Sequence, residues 1–116
     1  GFSFGSMVAL GAGEADRRVA AIVAAGLPLA RWNFEGVERV EKPALVISGD
    51  RDEYARPATL AAAAGRRFSR ARLVSVAGAD HFFGGHLEEL EEAVFGFAAD
   101  FGAGALAATA ASGEGA

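Results

Sequence analysis

The first five residues of the chain place a serine in a pattern that is used to build nucleophiles. Gly1-Phe2-Ser3-Phe4-Gly5 fits G-x-S-x-G, in which the serine lies on a tight turn between a strand and a helix. Positions two before and two after the serine must be small, because side chains there would collide with each other or with the neighbouring strand. We therefore predict that Ser3 is a nucleophile and that the backbone amide of Phe4 donates to the oxyanion.

A carboxylate follows the clearest strand pattern of the chain. Residues 45–53 read LVISGDRDE, a buried strand that ends at glycine and continues into an acidic loop. An acid at the carboxyl end of a strand can reach a histidine and orient its imidazole. Asp52, at the fourth position of G-x-x-D, is the candidate. Asp50 is the alternative, and its other role would be to accept hydrogen bonds from loop amides.

A histidine follows the third strand pattern in the same way. Residues 76–84 read VAGADHFFG, so His81 comes after a small-residue turn and is bracketed by aromatic side chains. We predict that His81 is the general base and that the adjacent Asp80 braces the loop. The second histidine, His86, is expected on the surface near the start of the last helix. The spacing of the two histidines is not one that metal sites use, so we predict no metal.

The three candidates occur in the order Ser, Asp, His, each beside the end of a strand. Because the carboxyl ends of parallel strands meet at one edge of a sheet, we expect the three side chains to lie together there. Ser3 would attack an acyl carbonyl while His81 takes its proton, and Asp52 would hold the imidazole in the required tautomer.

Short apolar runs alternate with amphipathic segments along the chain. The strands are predicted at 19–24, 44–48 and 72–76. The helices are predicted to open at 6–10, to run over 57–64 with an end at Gly65, and to run over 87–101. Continuous apolar strands between helices indicate a parallel sheet that is covered on both faces. The sequence therefore predicts an α/β fold with three αβα layers.

Composition removes several classes of function. The 116 residues include no cysteine, which excludes disulfides and cysteine nucleophiles, and the net charge is −4 with scattered basic residues, which does not support nucleic-acid binding. No apolar run approaches the roughly 20 residues that span a membrane. Residues 1–101 are predicted as the domain and 102–116 as a disordered tail of small residues. The opening motif and the absence of an initial Met indicate a fragment of a longer protein.

The segments GFSFGS, LVISGDRDE and GADHFF resemble those of the α/β-hydrolase superfamily, in particular small capless bacterial hydrolases similar to dienelactone hydrolases and prolyl peptidases. The resemblance covers residues 1 to about 101 and implies the C-terminal part of that fold. It implies a cytoplasmic serine hydrolase that needs no cofactor and acts on a small-molecule acyl substrate, with a small ester as the default. The loop that supplies the second oxyanion donor is missing from this stretch, so the chain alone is expected to be poorly active.

Two questions stay open at this point. Phe2 and Phe82 could line the acyl pocket, but Phe2 could equally pack beneath the elbow as core. The same three side chains could also serve acyl transfer, peptide cleavage or lyase chemistry, and a non-catalytic binding protein could retain the fold. The sequence leaves the oligomeric state undetermined.

Overall fold

Three parallel strands form the centre of the fold in the computed structural model, which describes residues 1–32, 34 and 37–104. In chain order the elements are α1 (Phe4–Ala15), β1 (Ile22–Ala25), β2 (Ala44–Gly49), α2 (Pro57–Arg67), β3 (Ala71–Val76) and α3 (Leu87–Gly102). From position 105 onward, the tail predicted from the sequence lies outside the described residues. None of the described helices combines the length and the hydropathy that crossing a bilayer requires.

The sheet has the order β1-β2-β3, and both pairings are parallel. The registers place Ala44 of β2 opposite Ile22 on one side and Ala71 on the other. Phe2 forms an isolated parallel bridge with Ala25, so the start of the chain runs beside β1 on the side away from β2. This order brings the ends of all three strands and the beginning of α1 to one rim of the sheet.

The central strand β2 is buried along its whole length and divides the core into two layers. Leu45 and Ile47 pack with Phe97 of α3 on one face, whereas Val46 packs with Leu10 of α1 and other residues of α1 and α2 on the opposite face. Burying each large aliphatic side chain of this kind contributes about 1.5–3 kcal/mol to stability. The predicted three-layer αβα arrangement with a parallel sheet is therefore confirmed.

The start of β1 and the end of α2 each differ by three residues from the sequence-based prediction, and α1 begins two residues earlier than predicted, at Phe4. The first strand begins at Ile22, where its amide donates to the carbonyl of Pro43, and not at position 19. Helix α2 continues through Gly65 to Arg67. The helix ends just before Phe68, whose side chain is buried in the core and whose amide donates to the carbonyl of Ala64. Burial of this aromatic side chain, and not the glycine, therefore decides where the helix ends.

Lys42 connects the end of α1 to the start of β2. Its Nζ donates to the carbonyl oxygens of Gly13 at 2.5 Å and Asp16 at 2.6 Å, and its amide donates to the Glu14 carboxylate at 3.2 Å. A cation at this place satisfies carbonyls that the last helical turn leaves without intrahelical partners and interacts favourably with the negative end of the helix dipole. The contact holds α1 against the sheet on which Ser3 depends.

Candidate active site

Ser3 lies on a strained turn directly before α1. Its backbone has φ 53° and ψ −121°, a conformation that costs a non-glycine residue about 1–3 kcal/mol. The turn is held by two hydrogen bonds, from the Ser3 amide to the carbonyl of Ala25 at 2.8 Å and from the Gly5 amide to the carbonyl of Phe2 at 2.8 Å. Since the sheet fixes this conformation, the hydroxyl of Ser3 projects from the rim.

The two glycines of the pentapeptide have different roles in the structure. A Cβ atom on Gly1 would overlap the carbonyl group of Gly5, as the steric argument from the sequence requires. A Cβ atom on Gly5 would meet no described atom within 4 Å, so the expected steric need for glycine is not found at that position. Close approach of the backbone therefore explains the first glycine only.

Asp52 lies in the acid loop, defined here as residues 50–56, which follows β2. The residue is 1 % exposed. Oδ1 accepts a hydrogen bond from the amide of Tyr54 at 2.8 Å, and Oδ2 lies 2.7 Å from Nδ1 of His81. Asp50, the alternative considered from the sequence, instead accepts a hydrogen bond from the amide of Gly78 at 2.8 Å. The burial and both contacts of Asp52 distinguish it from its neighbour.

His81 lies in the histidine loop, defined here as residues 77–86, which follows β3. The residue is 9 % exposed, and its second ring nitrogen, Nε2, lies 2.8 Å from Oγ of Ser3. With a proton on Nδ1 donated to the Asp52 carboxylate, Nε2 has a lone pair that can accept the Ser3 hydroxyl proton. The structure thus brings together the three side chains that the sequence singled out.

Asp80 braces the histidine loop, as expected. Its Oδ1 accepts hydrogen bonds from the amides of Phe82 at 2.9 Å and Gly84 at 3.3 Å. The second histidine, His86, is the residue before α3 and pairs through Nδ1 with the Glu89 carboxylate at 2.8 Å. Both groups are therefore engaged in local contacts and not with Ser3.

Three aromatic rings and one glycine enclose the His81 imidazole. The ring centroids of Tyr54, Phe82 and Phe2 lie 5.1, 5.2 and 5.3 Å from the imidazole centroid. Gly26, which follows β1 with φ 62°, packs so closely that a Cβ atom would lie 3.2 Å from Cε1 and 3.3 Å from Nδ1 of the imidazole. This packing fixes the ring plane independently of the two hydrogen bonds.

A cleft of about 500 Å³ opens beside Ser3 and His81. Its lining also contains Phe4, Met7, Pro28, Arg31, Tyr54 and Phe82. Phe82 thus borders the cleft, whereas Phe2 is not among the described lining residues, because its ring packs on the imidazole. The Phe4 amide opens α1 next to Ser3 and donates to no described acceptor, so it is available to a ligand atom in the cleft.

Comparison with solved structures found chains of similar fold. They include an α/β serine hydrolase homologue from Coxiella burnetii, with 32% identity over 79% of this chain and a TM-score of 0.69. A second is an α/β serine hydrolase without a lid from Xanthomonas campestris, with 29% identity over 87% of this chain and a TM-score of 0.71. The chain belongs to the α/β-hydrolase superfamily. The resemblance deduced from three short segments is confirmed at that level.

The chain spans less than half of either α/β hydrolase, namely 44% of the Coxiella protein and 45% of the Xanthomonas protein. Comparison with protein-family models found no match, and comparison with the curated proteins found none of significance. The likeness to α/β hydrolases therefore stands on structure and on the identity over the aligned part.

Sequence reasoning missed several residues of this site, among them Gly26, Arg31 and Tyr54. Gly26 directly follows an apolar strand, and the same sequence signal located Asp52 and His81 in the acid and histidine loops. Tyr54 lies only two positions after Asp52 and could have been considered with it. Arg31 has no comparable signal, because its place in the cleft depends on how the loop after β1 folds back toward the acid loop.

Proposed function

We propose that the protein is a serine hydrolase that cleaves a carboxylic ester through Ser3, His81 and Asp52. The observation that carries the proposal is the continuous pair of contacts from Ser3 Oγ to His81 Nε2 at 2.8 Å and from His81 Nδ1 to Asp52 Oδ2 at 2.7 Å. A hydroxyl, an imidazole and a buried carboxylate in this order are the groups that acyl transfer to water requires.

In the proposed reaction, Ser3 Oγ attacks the ester carbonyl carbon while its proton moves to Nε2 of His81. The Asp52 carboxylate keeps Nδ1 protonated and stabilises the imidazolium that forms. The amide of Phe4 donates to the oxyanion of the tetrahedral intermediate, a contact whose loss typically costs about 10²–10³-fold in rate. The imidazolium returns the proton to the leaving alkoxide, and water then hydrolyses the acyl-enzyme by the same steps.

An ester of a small acid is the substrate class that the cleft favours. The space beside Ser3 is about 500 Å³ and is bordered mainly by apolar side chains, among them Phe4, Met7 and Phe82. Apolar walls of this kind take up an acyl chain, and the few polar groups orient its carbonyl. No step of the proposed reaction requires a metal or an organic cofactor.

The proposal is tested by labelling the full-length polypeptide with a fluorophosphonate probe, which reacts with activated serine hydroxyls. We expect labelling and hydrolysis of 4-nitrophenyl butyrate in the unaltered protein and loss of both in Ser3→Ala. Ser75→Ala, which alters an exposed serine of β3, is the matched control and should retain both. Labelling of Ser3→Ala at the unaltered level would remove Ser3 from the role of nucleophile.

A further inference from the structure

The candidate active-site cleft contains a permanently charged group that the proposed chemistry does not use. Arg31 lines the cleft together with Ser3, His81 and Tyr54, and among the described lining residues it is the only arginine, lysine, aspartate or glutamate. Its side chain is exposed, so the charge is accessible from the cleft. A single cation in an otherwise uncharged lining favours anionic ligands over neutral ones.

Tyr54 provides a platform that holds Arg31 beside the imidazole. The Arg31 Cζ lies 5.6 Å from the centroid of the Tyr54 ring, within cation–π range, and the same ring lies 5.1 Å from the His81 ring. The carbonyl of Tyr54 also accepts a hydrogen bond from the amide of Ala30 at 2.9 Å, next to Arg31 in the chain. The guanidinium and the imidazole therefore both contact the Tyr54 ring.

The guanidinium of Arg31 makes no ion pair and donates no side-chain hydrogen bond within the described residues. Two of the other arginines are instead paired, Arg18 with Asp16 and Arg72 with Asp100. Asp52, the buried carboxylate of the acid loop, is already engaged by His81 and by the Tyr54 amide. A planar guanidinium with unused donors is suited to bidentate binding of a carboxylate.

We propose that the preferred substrate is an ester whose acyl part carries a second, free carboxylate, which Arg31 binds while the ester carbonyl lies at Ser3. This inference rests on the proposed hydrolase function and names its substrate class. One cation matches one monoanionic group, and the Tyr54 ring, which contacts both Arg31 and His81, keeps that cation near the place of the reacting carbonyl. Neutral esters of the same length would fit the cleft but would lack this contact.

The test compares three esters that share a six-carbon acyl chain: 4-nitrophenyl hexanoate, mono-4-nitrophenyl adipate and 4-nitrophenyl methyl adipate. The measured quantity is the ratio of kcat/KM for the anionic ester to that for hexanoate. Arg31→Gln should lower this ratio about tenfold, mostly by raising KM for the anionic ester. A tenfold effect lies between those of solvent-exposed and of buried ion pairs. The methyl-capped ester, which is polar but uncharged, should not show the preference.

Two further variants separate a local contact from a general effect of charge. Arg56→Gln removes an exposed arginine that precedes α2 and changes the net charge equally, so its ratio should match that of the unaltered protein. Tyr54→Leu, which removes the platform, should lower the ratio, whereas Tyr54→Phe should keep it. The ratio should also fall as salt rises from about 0.01 M to about 1 M, because the Debye length shrinks from about 30 Å to about 3 Å.

The inference and the proposed function fail in different ways. Hydrolysis of all three esters with the same ratio in the unaltered protein and in Arg31→Gln would overturn the inference and leave the hydrolase function standing. Absence of hydrolysis of every ester by the full-length polypeptide would refute the function. Calorimetric titration with adipate and hexanoate would then decide the inference: weaker binding of adipate alone in Arg31→Gln supports it, and equal binding overturns it.

Discussion

Replacement of Gly26 by alanine adds one methyl group at a point where the backbone and the His81 ring meet. Gly26 has φ 62°, and the added Cβ would lie 3.2 Å from Cε1 and 3.3 Å from Nδ1 of the imidazole. Gly85 offers a matched control, since its φ is 74° and a Cβ there would meet no described atom within 4 Å. Both substitutions force alanine into the left-handed region, but only one of them touches the imidazole.

The two substitutions should lower the free energy of unfolding to different extents. The left-handed conformation costs alanine about 1–2 kcal/mol, and reduced freedom of the unfolded chain offsets about 0.4–1 kcal/mol. Gly85→Ala is therefore expected to lose about 0–1.6 kcal/mol. Gly26→Ala should lose about 1 kcal/mol more, because carbon atoms pack best at about 3.5–4.0 Å and the imidazole must move away by a few tenths of an ångström.

Activity should separate the two variants more clearly than stability does. A misplacement of about 1 Å can cost about 10²-fold in rate, so a shift of a few tenths of an ångström in His81 should lower kcat for 4-nitrophenyl butyrate about tenfold. Gly85→Ala should retain kcat within about twofold. Urea denaturation gives the free energies and steady-state kinetics gives kcat. Equal kcat values in Gly26→Ala and Gly85→Ala would refute the claim that Gly26 sets the position of the imidazole.

Stability predictions follow from the two faces of α3 and from the end of α1. Phe97→Ala, at a side chain 2 % exposed, should lower the free energy of unfolding in urea by about 3–5 kcal/mol, whereas Phe95→Ala, at 64 % exposure, should change it by less than about 0.5 kcal/mol. Equal losses would mean that α3 packs through a different face. Lys42→Met should cost about 1–2 kcal/mol, because it removes two hydrogen bonds to carbonyls at the α1 terminus. Arg17→Met, at a neighbouring exposed cation, is its control, and equal stability of these two variants would contradict the role of Lys42.

The strands and helices that hydrophobic pattern could locate are those whose burial is decided locally. The prediction of 44–48 lies within Ala44–Gly49 of β2, and the prediction of 87–101 falls one residue short of the end of α3. The start of β1 was wrong because residues 19–21 are apolar but precede the ladder, which begins only where Ile22 reaches the carbonyl of Pro43. An apolar run reports burial, whereas the first ladder bond depends on a partner that is distant in sequence.

The residues of the candidate site also differ in whether a local sequence pattern reveals them. Ser3, Asp52 and His81 could be found because each follows a strand or turn signal in the sequence and because parallel topology collects strand ends at one rim. The residues that hold and surround the imidazole could not be ranked in this way. Arg31 and Tyr54 come together through a contact between two irregular loops, and no local pattern in the sequence specifies that contact.

The acid and histidine loops are bonded to each other as well as to their own strands. The amide of Asp50 donates to the carbonyl of Val76 at 3.0 Å, and the Asp50 carboxylate accepts from the amide of Gly78 at 2.8 Å. The β2–β3 register therefore sets how far apart the two loops lie. The position of Ser3 is set from the other side of the sheet, because its amide donates to the carbonyl of Ala25 at the end of β1. Because β1 and β3 both pair with β2, the distance between hydroxyl and carboxylate is a property of the sheet. Substitutions that shift a strand should therefore impair the site more than those on the outer faces of the helices.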